Sequence, residues 1–287
     1  MSQYEALSAA IRAEEPVALA SVIEVAPEAE WEEPPVTGEA VPVLGARILV
    51  RPGQPWSGTL GDGRLDAVVA RDTLGALESG QNHTRHYGRH GEARRREVAV
   101  FVEVFAPPPQ MVIFGAVDFT AALARVAKIL GYRVTVCDAR PVFATPQRFP
   151  MADQVVVDWP DRHLQAVGPS LGPRDAVCVL THDPKFDVPA IAAAVRTGVG
   201  YLGAMGSRRT HSERSRRLLE AGLTEDELAR VMGPIGLDIG ARTPEETAVS
   251  ICAEIIALRS GSAGRVPSLR DRSGPIHRDG AAPPEPD

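Results

Sequence analysis

Met111-Val112-Ile113-Phe114-Gly115-Ala116-Val117-Asp118-Phe119-Thr120 decides the fold. Its first four residues make a short strand with no polar face, the pattern of a strand covered on both sides. Leu123, Val126, Ala127 and Leu130 then recur at helical spacing, and Gly131 stops the helix. Arg133–Cys137, Gln154–Val157, Ala176–Leu180 and Val199–Leu202 read as further strands. Between and after them lie helices. Asp187 is placed to cap one that runs through Arg196 and closes at Gly198; Ser207–Glu220 is a charged helix ending at Gly222. Thr224 with Glu227 forms a capping box for a short helix. Thr243, Pro244 and Glu246 open the last helix, whose apolar face carries Ala248, Ile251, Cys252 and Ile255. Apolar strands alternating with helices predict an α/β chain with a doubly wound, Rossmann-like parallel sheet over residues 111–260.

Outward from this domain, Ala106-Pro107-Pro108-Pro109 cannot continue a central strand or a helix, so residues 106–110 read as a Pro-rich linker. Residues 1–105 predict a smaller α+β domain. Tyr4, Leu7 and Ile11 mark an opening helix, Val17–Val25, Ala46–Val50 and Glu97–Phe105 strands, and Arg64–Ser79 a helix followed by Gly80. Glu24–Glu39, rich in glutamate and proline, reads as a mobile acidic loop. Residues 261–287 are Ser-, Gly-, Pro- and Arg-rich and read as disordered.

Bulk properties narrow the function. A net charge of −6 gives no argument for nucleic-acid binding. No stretch approaches the ~18 apolar residues of a membrane helix, and Met1-Ser2-Gln3-Tyr4-Glu5 has no signal-peptide character; a cytoplasmic, soluble protein is expected. Cys137, Cys178 and Cys252 lie far apart on apolar segments, which fits buried small hydrophobes better than disulfides or a metal site.

Several clusters have chemical character. A dinucleotide fingerprint would place glycine at 115, 117 and 120, but only Gly115 is present. Val117 would obstruct a pyrophosphate, and Asp118 puts negative charge at the helix start. Asp138, ending the second strand, is placed to bond a ribose hydroxyl, or serves structure alone; NAD(P) binding is disfavoured. His182 and Asp183 end the fourth strand, where open α/β sheets hold ligands, although Asp183-Pro184 also suits a plain turn. Gly203-Ala204-Met205-Gly206-Ser207-Arg208-Arg209 brings two glycines, a hydroxyl and two guanidinium groups to a helix start, an anion cradle. Gly233–Glu246 is an apolar, glycine-punctuated loop with Asp238 between Leu237 and Ile239, either part of a site or a buried connector. His83, His86 and His90 have metal-like spacing, but the arginines around them favour a solvated basic loop, with no metal.

Leu180-Thr181-His182-Asp183, Tyr201–Arg208, Pro234–Gly240 and Thr243–Ile255, in this order and spacing, resemble the XdhC/CoxI family over about 110–260. The resemblance implies an accessory protein that binds molybdenum cofactor, supports its sulfuration with a sulfur-donating cysteine desulfurase, and delivers it to a molybdenum hydroxylase such as xanthine or carbon monoxide dehydrogenase. A homodimer is expected. The N-terminal likeness is worn: the family's Gly-Gly-Gly-Cys turn is here Gly61-Asp62-Gly63-Arg64, and its Gly-Ala-Gly-His loop is Gly115-Ala116-Val117-Asp118. The missing cysteine argues for holding a ligand rather than for thiol chemistry. Gly115, Asp138, His182, Asp183, Gly203, Gly206, Ser207, Arg208 and Asp238 are the expected ligand-binding residues, with no catalytic residue assigned. A nicotinamide-dependent oxidoreductase and a ligand-free interaction protein are the alternatives.

Overall fold

The computed structural model describes residues 2–27, 31–32, 40–259 and 268–271. The chain divides into two compact units, Met1–Pro107 and Pro108–Asp287.

The first unit begins with α1 (Gln3–Arg12), opened by a capping box in which Ser2 and Glu5 exchange hydrogen bonds. Ala6 and Ala10 are buried with Leu7 packed beside them, while Tyr4 and Ile11 are exposed. Strands β1 (Val17–Val25), β2 (Arg47–Val50) and β3 (Ser57–Thr59) follow, then α2 (Gly63–Ser79), β4 (His83–Tyr87) and β5 (Val98–Phe105). They form an antiparallel sheet in the order β3-β2-β1-β5-β4. Asp62 caps α2 through the amides of Arg64 and Leu65, both at 2.9 Å, and Gly80 ends it in the left-handed conformation. Leu65, Val69, Ala76 and Leu77 of α2 pack on Ala18, Ile48, Val100 and Val102 of the sheet.

The basic segment expected to be a solvated loop is in part β4, an edge strand paired with β5 from His83↔Val102 to Tyr87↔Val98. His90 Nδ1 lies 3.2 Å from Asp62 Oδ2, and Arg89 is buried. An edge strand with one partner tolerates polar side chains, which is why its composition resembles a loop. The acidic stretch expected to be mobile lies outside the described residues at 28–30 and 33–39. Within it, Trp31 is buried and its indole donates to the Ala26 carbonyl at 2.9 Å.

The second unit runs β6 (Gln110–Phe114), α3 (Asp118–Ile129), β7 (Arg133–Cys137), β8 (Gln154–Val156), α4 (Pro160–Val167), β9 (Ala176–Val179), α5 (Pro184–Ala194), β10 (Tyr201–Ala204), α6 (Arg208–Glu220), α7 (Glu225–Ala229), β11 (Val231–Met232) and α8 (Pro244–Arg259). Its six strands are all parallel, in the order β11-β10-β9-β6-β7-β8. Successive residues of β6 serve opposite faces, as the pleat requires. Met111 and Ile113 pack with α3 and α8, through Leu123, Ile251 and Ile255. Val112 and Phe114 pack with α4, α5 and α6, through Leu164, Ile191 and Leu218. Helices on both faces make this a doubly wound Rossmann-type sheet. The chain order reverses between β6 and β9, and that reversal is the usual ligand crevice.

Asp187 does not cap α5. The N-cap is Asp183, whose carboxylate accepts from the Lys185 amide at 3.1 Å, because Pro184 starts the helix one turn earlier than expected. Asp187 is instead buried in the first turn and paired with Arg214. Most of the tail expected to be disordered lies outside the described residues. Ser268–Asp271 departs from that expectation: Ser268 bridges to Leu237, and a 3₁₀ turn spans Leu269–Asp271. Among the described residues no helix is long and apolar enough to cross a membrane.

Candidate functional site

Two recesses lie at the carboxyl ends of the parallel strands. The first is at the chain reversal, where Gly115 follows β6 and Thr181 follows β9. Gly115 has φ +108°, and a Cβ there would stand 2.9 Å from the Thr181 amide nitrogen, so only glycine lets the two segments meet. Asp138 closes this place from the side. Its Oδ2 accepts from the Ala116 amide at 2.8 Å and from Arg140 Nη2 at 2.8 Å. Its Oδ1 accepts from the Arg140 amide and Nε, both at 2.9 Å. A carboxylate has about four acceptor positions, and all are engaged. Burial works to raise the Asp138 pKa, but the Arg140 guanidinium and the two amides outweigh it and hold the carboxyl below its ordinary value. The recess between Gly115, Asp138 and Phe186 leaves no room for a water molecule. In this structure the Asp138 carboxylate fixes the β6–α3 turn, with its acceptor positions taken up by Ala116 and Arg140.

The second recess is a cavity of about 590 Å³, built from the segment after β10, the loop Gly233–Arg242 and the α8 start. Its walls include Phe119, Met205, Ile235 and Leu237, and its polar side is given by Arg208, Arg209, Arg242, Asp238 and His182. Among the described residues, three guanidinium groups and one carboxylate line it. Ser207 caps α6 by accepting from the Thr210 amide at 3.1 Å, which leaves the first turn of the helix facing the cavity. Arg209 is exposed, and it has no ion-pair or hydrogen-bond partner among the described residues.

Buried polar groups hold this cavity in shape from behind. Arg214, the largest fully buried side chain, donates from Nε to Asp187 Oδ2 at 2.9 Å and from Nη2 to the Met205 carbonyl at 2.8 Å. It thus ties α6 and α5 to the turn that precedes the helix start. Glu254 of α8 is also buried. It accepts from the Tyr201 hydroxyl at 2.6 Å, the Gly236 amide at 2.9 Å and the Ser268 hydroxyl. Burial, followed by the nearby Glu254 charge, pushes the Tyr201 phenol well above its ordinary value, so it remains a donor. At the far end of the loop, Glu246 accepts from the amides of Arg242 at 2.7 Å and Thr243 at 3.1 Å, and these bonds hold its carboxyl below its ordinary value.

The structure brings His182, Gly206, Ser207, Arg208 and Asp238 to the cavity. Gly115 and Asp138 stay in the closed recess. Asp183 lines neither recess; its carboxylate caps α5 and lies 3.4 Å from Lys185 Nζ. Gly203 is a packing position, because a Cβ there would meet Ile235 Cδ1 at 2.5 Å. Sequence reasoning misses Arg242, Asp187, Arg214 and Glu254 as parts of the site. A glutamate inside the apolar face Ile251–Ile255 is a readable signal, whereas Arg214 lies in a helix too charged to single it out.

Thiol chemistry finds no support in the geometry. All three cysteines are buried; burial pushes the thiols of Cys137 and Cys252 up to about 12 and raises that of Cys178 as well. Among the described residues, no group of three or more His, Cys, Asp or Glu side chains could hold a metal ion.

Comparison with known proteins adds the following. Residues 111–255 match the family model of the XdhC Rossmann domain, and residues 36–88 match that of the XdhC and CoxI family. A probable xanthine dehydrogenase subunit of Bacillus subtilis (strain 168) is 35% identical over 160 residues, covering 56% of this chain and 46% of that protein. The molybdenum cofactor insertion chaperone PaoD of Escherichia coli (strain K12) is 28% identical over 155 residues, 54% of this chain and 42% of that one. An uncharacterized protein of the same strain, YqeB, is 28% identical over 238 residues, 78% of this chain and 42% of that one. The chain thus spans less than half the length of these curated relatives. A crystal structure described as a xanthine dehydrogenase from Bacillus halodurans aligns over 91% of this chain and 96% of that one, at 21% identity and a TM-score of 0.49.

Proposed function

The chain belongs to the XdhC/CoxI family, and from that premise we propose that it is an accessory protein in the maturation of a molybdenum hydroxylase. In this reading it holds molybdenum cofactor, or a related pterin-type anion, in the cavity at the start of α6 and passes it to the apoenzyme in the cytoplasm. The names of two relatives, one belonging to a xanthine dehydrogenase and the other an insertion chaperone, support the accessory role.

One observation carries the ligand class. Arg208, Arg209 and Arg242 share a single cavity with the apolar Phe119, Met205, Ile235 and Leu237. A ligand with a flat ring whose face packs on apolar side chains, and with an anionic end, satisfies both sides, whereas inorganic anions alone would leave the wall wet. The helix start and the guanidinium groups would take the phosphate, bidentately where the geometry allows. Asp238 and His182 would face polar edges of the ring. When bound, the cofactor supplies the molybdenum; this chain's side chains bind and orient, and its buried cysteines offer no thiolate to the metal. A sulfur-donating partner would have to bring its own thiol.

The test is purification of the native chain and of Arg208→Ala/Arg209→Ala, followed by oxidation and fluorescence assay for released pterin. The native chain should retain pterin, and the double variant should lose at least about tenfold in retention without a change in its unfolding curve. Equal retention by the two proteins would remove the cavity assignment. Co-purification with a molybdenum hydroxylase but without pterin would favour a purely protein-binding role.

A further inference from the structure

The cavity is completed by a piece of chain that lies beyond the family-matched region, which ends at residue 255. Ser268–Asp271 reaches four elements around it. The Ser268 hydroxyl donates to buried Glu254 of α8, and the Leu269 amide donates to the Gly236 carbonyl at 2.9 Å. Ser268 pairs with Leu237 as an isolated antiparallel bridge. Arg270 Nη1 donates to the Ala229 carbonyl at 3.2 Å, at the end of α7, and lies 3.1 Å from Met232 Sδ on β11. Between these anchors Leu269 lines the cavity, and its carbonyl accepts from Arg208 Nη2 at 3.0 Å.

A guanidinium is a rigid planar fork, so a bond to a fixed carbonyl sets the plane in which its other N–H groups point. The anchors at Glu254, Gly236 and Ala229 are made by other groups of the segment, so the Leu269 carbonyl is held in place independently of Arg208. From this we propose that Ser268–Asp271 is a strap that closes one wall of the cavity, with the Leu269 carbonyl as the positioning group for Arg208. The strap rests on the reading above only for what the cavity holds; its fixing of Arg208 stands on the contacts themselves.

The experiment is arginine modification of the full chain by phenylglyoxal, mapped by mass spectrometry, with Arg209 as internal reference. In the native chain Arg208 should react about tenfold more slowly than Arg209, since its fork must first be released. Ser268→Asp sets a second carboxylate against Glu254 and should raise the Arg208 rate at least about threefold relative to Arg209. Arg270→Ala releases the other anchor without touching the buried carboxylate, and it should raise the rate in part even where Ser268→Asp perturbs folding. Equal rates in the native chain, or no rise at Arg208 in either folded variant, overturn the strap. Pyrophosphate calorimetry separates the two readings: failure of the native chain to bind removes the anion site, while the modification rates still decide the strap.

Discussion

The two recesses at the ends of the parallel strands differ in where their charges are spent. At the chain reversal, Asp138 is consumed by Ala116 and Arg140, and the backbone of Gly115 closes on Thr181. At the β10–α6 side, buried charges work from behind, and the groups facing the cavity include the first turn of α6, three arginines, Asp238 and His182. In this chain the polar groups at the chain reversal bond one another, while a cavity with arginines on its wall lies beside it at the start of α6.

The largest expected effect breaks the support of the open recess. Asp187→Ala would leave the buried Arg214 guanidinium without its anion, at a cost of about 3–5 kcal/mol. Equilibrium urea unfolding would read this as a lower midpoint with an unchanged slope. Retention of native stability would show that the Arg214 pair does not hold the cavity.

Next is the closed recess. Asp138→Ala removes charge-assisted bonds to Ala116 and Arg140 and should cost about 2–3 kcal/mol at neutral pH. The Asp138 carboxyl is held below its ordinary value in the folded chain, so its contribution is fully present above the unfolded pKa of about 4. It is lost as pH falls through the lower folded value. The variant should therefore show a flatter decline in stability below about pH 4 than the native chain; parallel acid curves would contradict the structural role.

A smaller effect sharpens the boundary between capping and binding. Ser207→Ala loses the bond to the Thr210 amide and should cost about 1 kcal/mol of stability. If the Ser207 hydroxyl serves the helix rather than the ligand, pterin retention by the folded variant should hardly change. A loss as deep as that of Arg208→Ala would assign the hydroxyl to the ligand.

Much of the fold is legible in the sequence because its signals are local. Arg133–Cys137 reads as a strand to the residue, and the caps at Thr224 and Thr243 follow from a short hydroxyl side chain with glutamate three residues on. Val231–Met232 escapes such a reading, since two residues carry no period and become a strand only by pairing with β10. The candidate site is legible where glycines and arginines cluster in sequence, at 203–209. Its supports are not legible where they depend on distant partners. Asp138 looks like a ribose ligand until Arg140 folds back on it, and Asp187 looks like a cap until Arg214 arrives from α6. Ser268–Asp271 reads as tail because its contacts are all with residues remote in sequence.

Entry of an anionic ligand at α6 rather than at the chain reversal is read from backbone amide shifts of the labelled chain titrated with a phosphorylated pterin. Saturable shifts are expected at Gly206, Ser207, Arg208 and Arg209, with Gly115, Ala116 and Val117 unmoved. Shifts confined to Gly115–Val117 would place the ligand at the chain reversal instead.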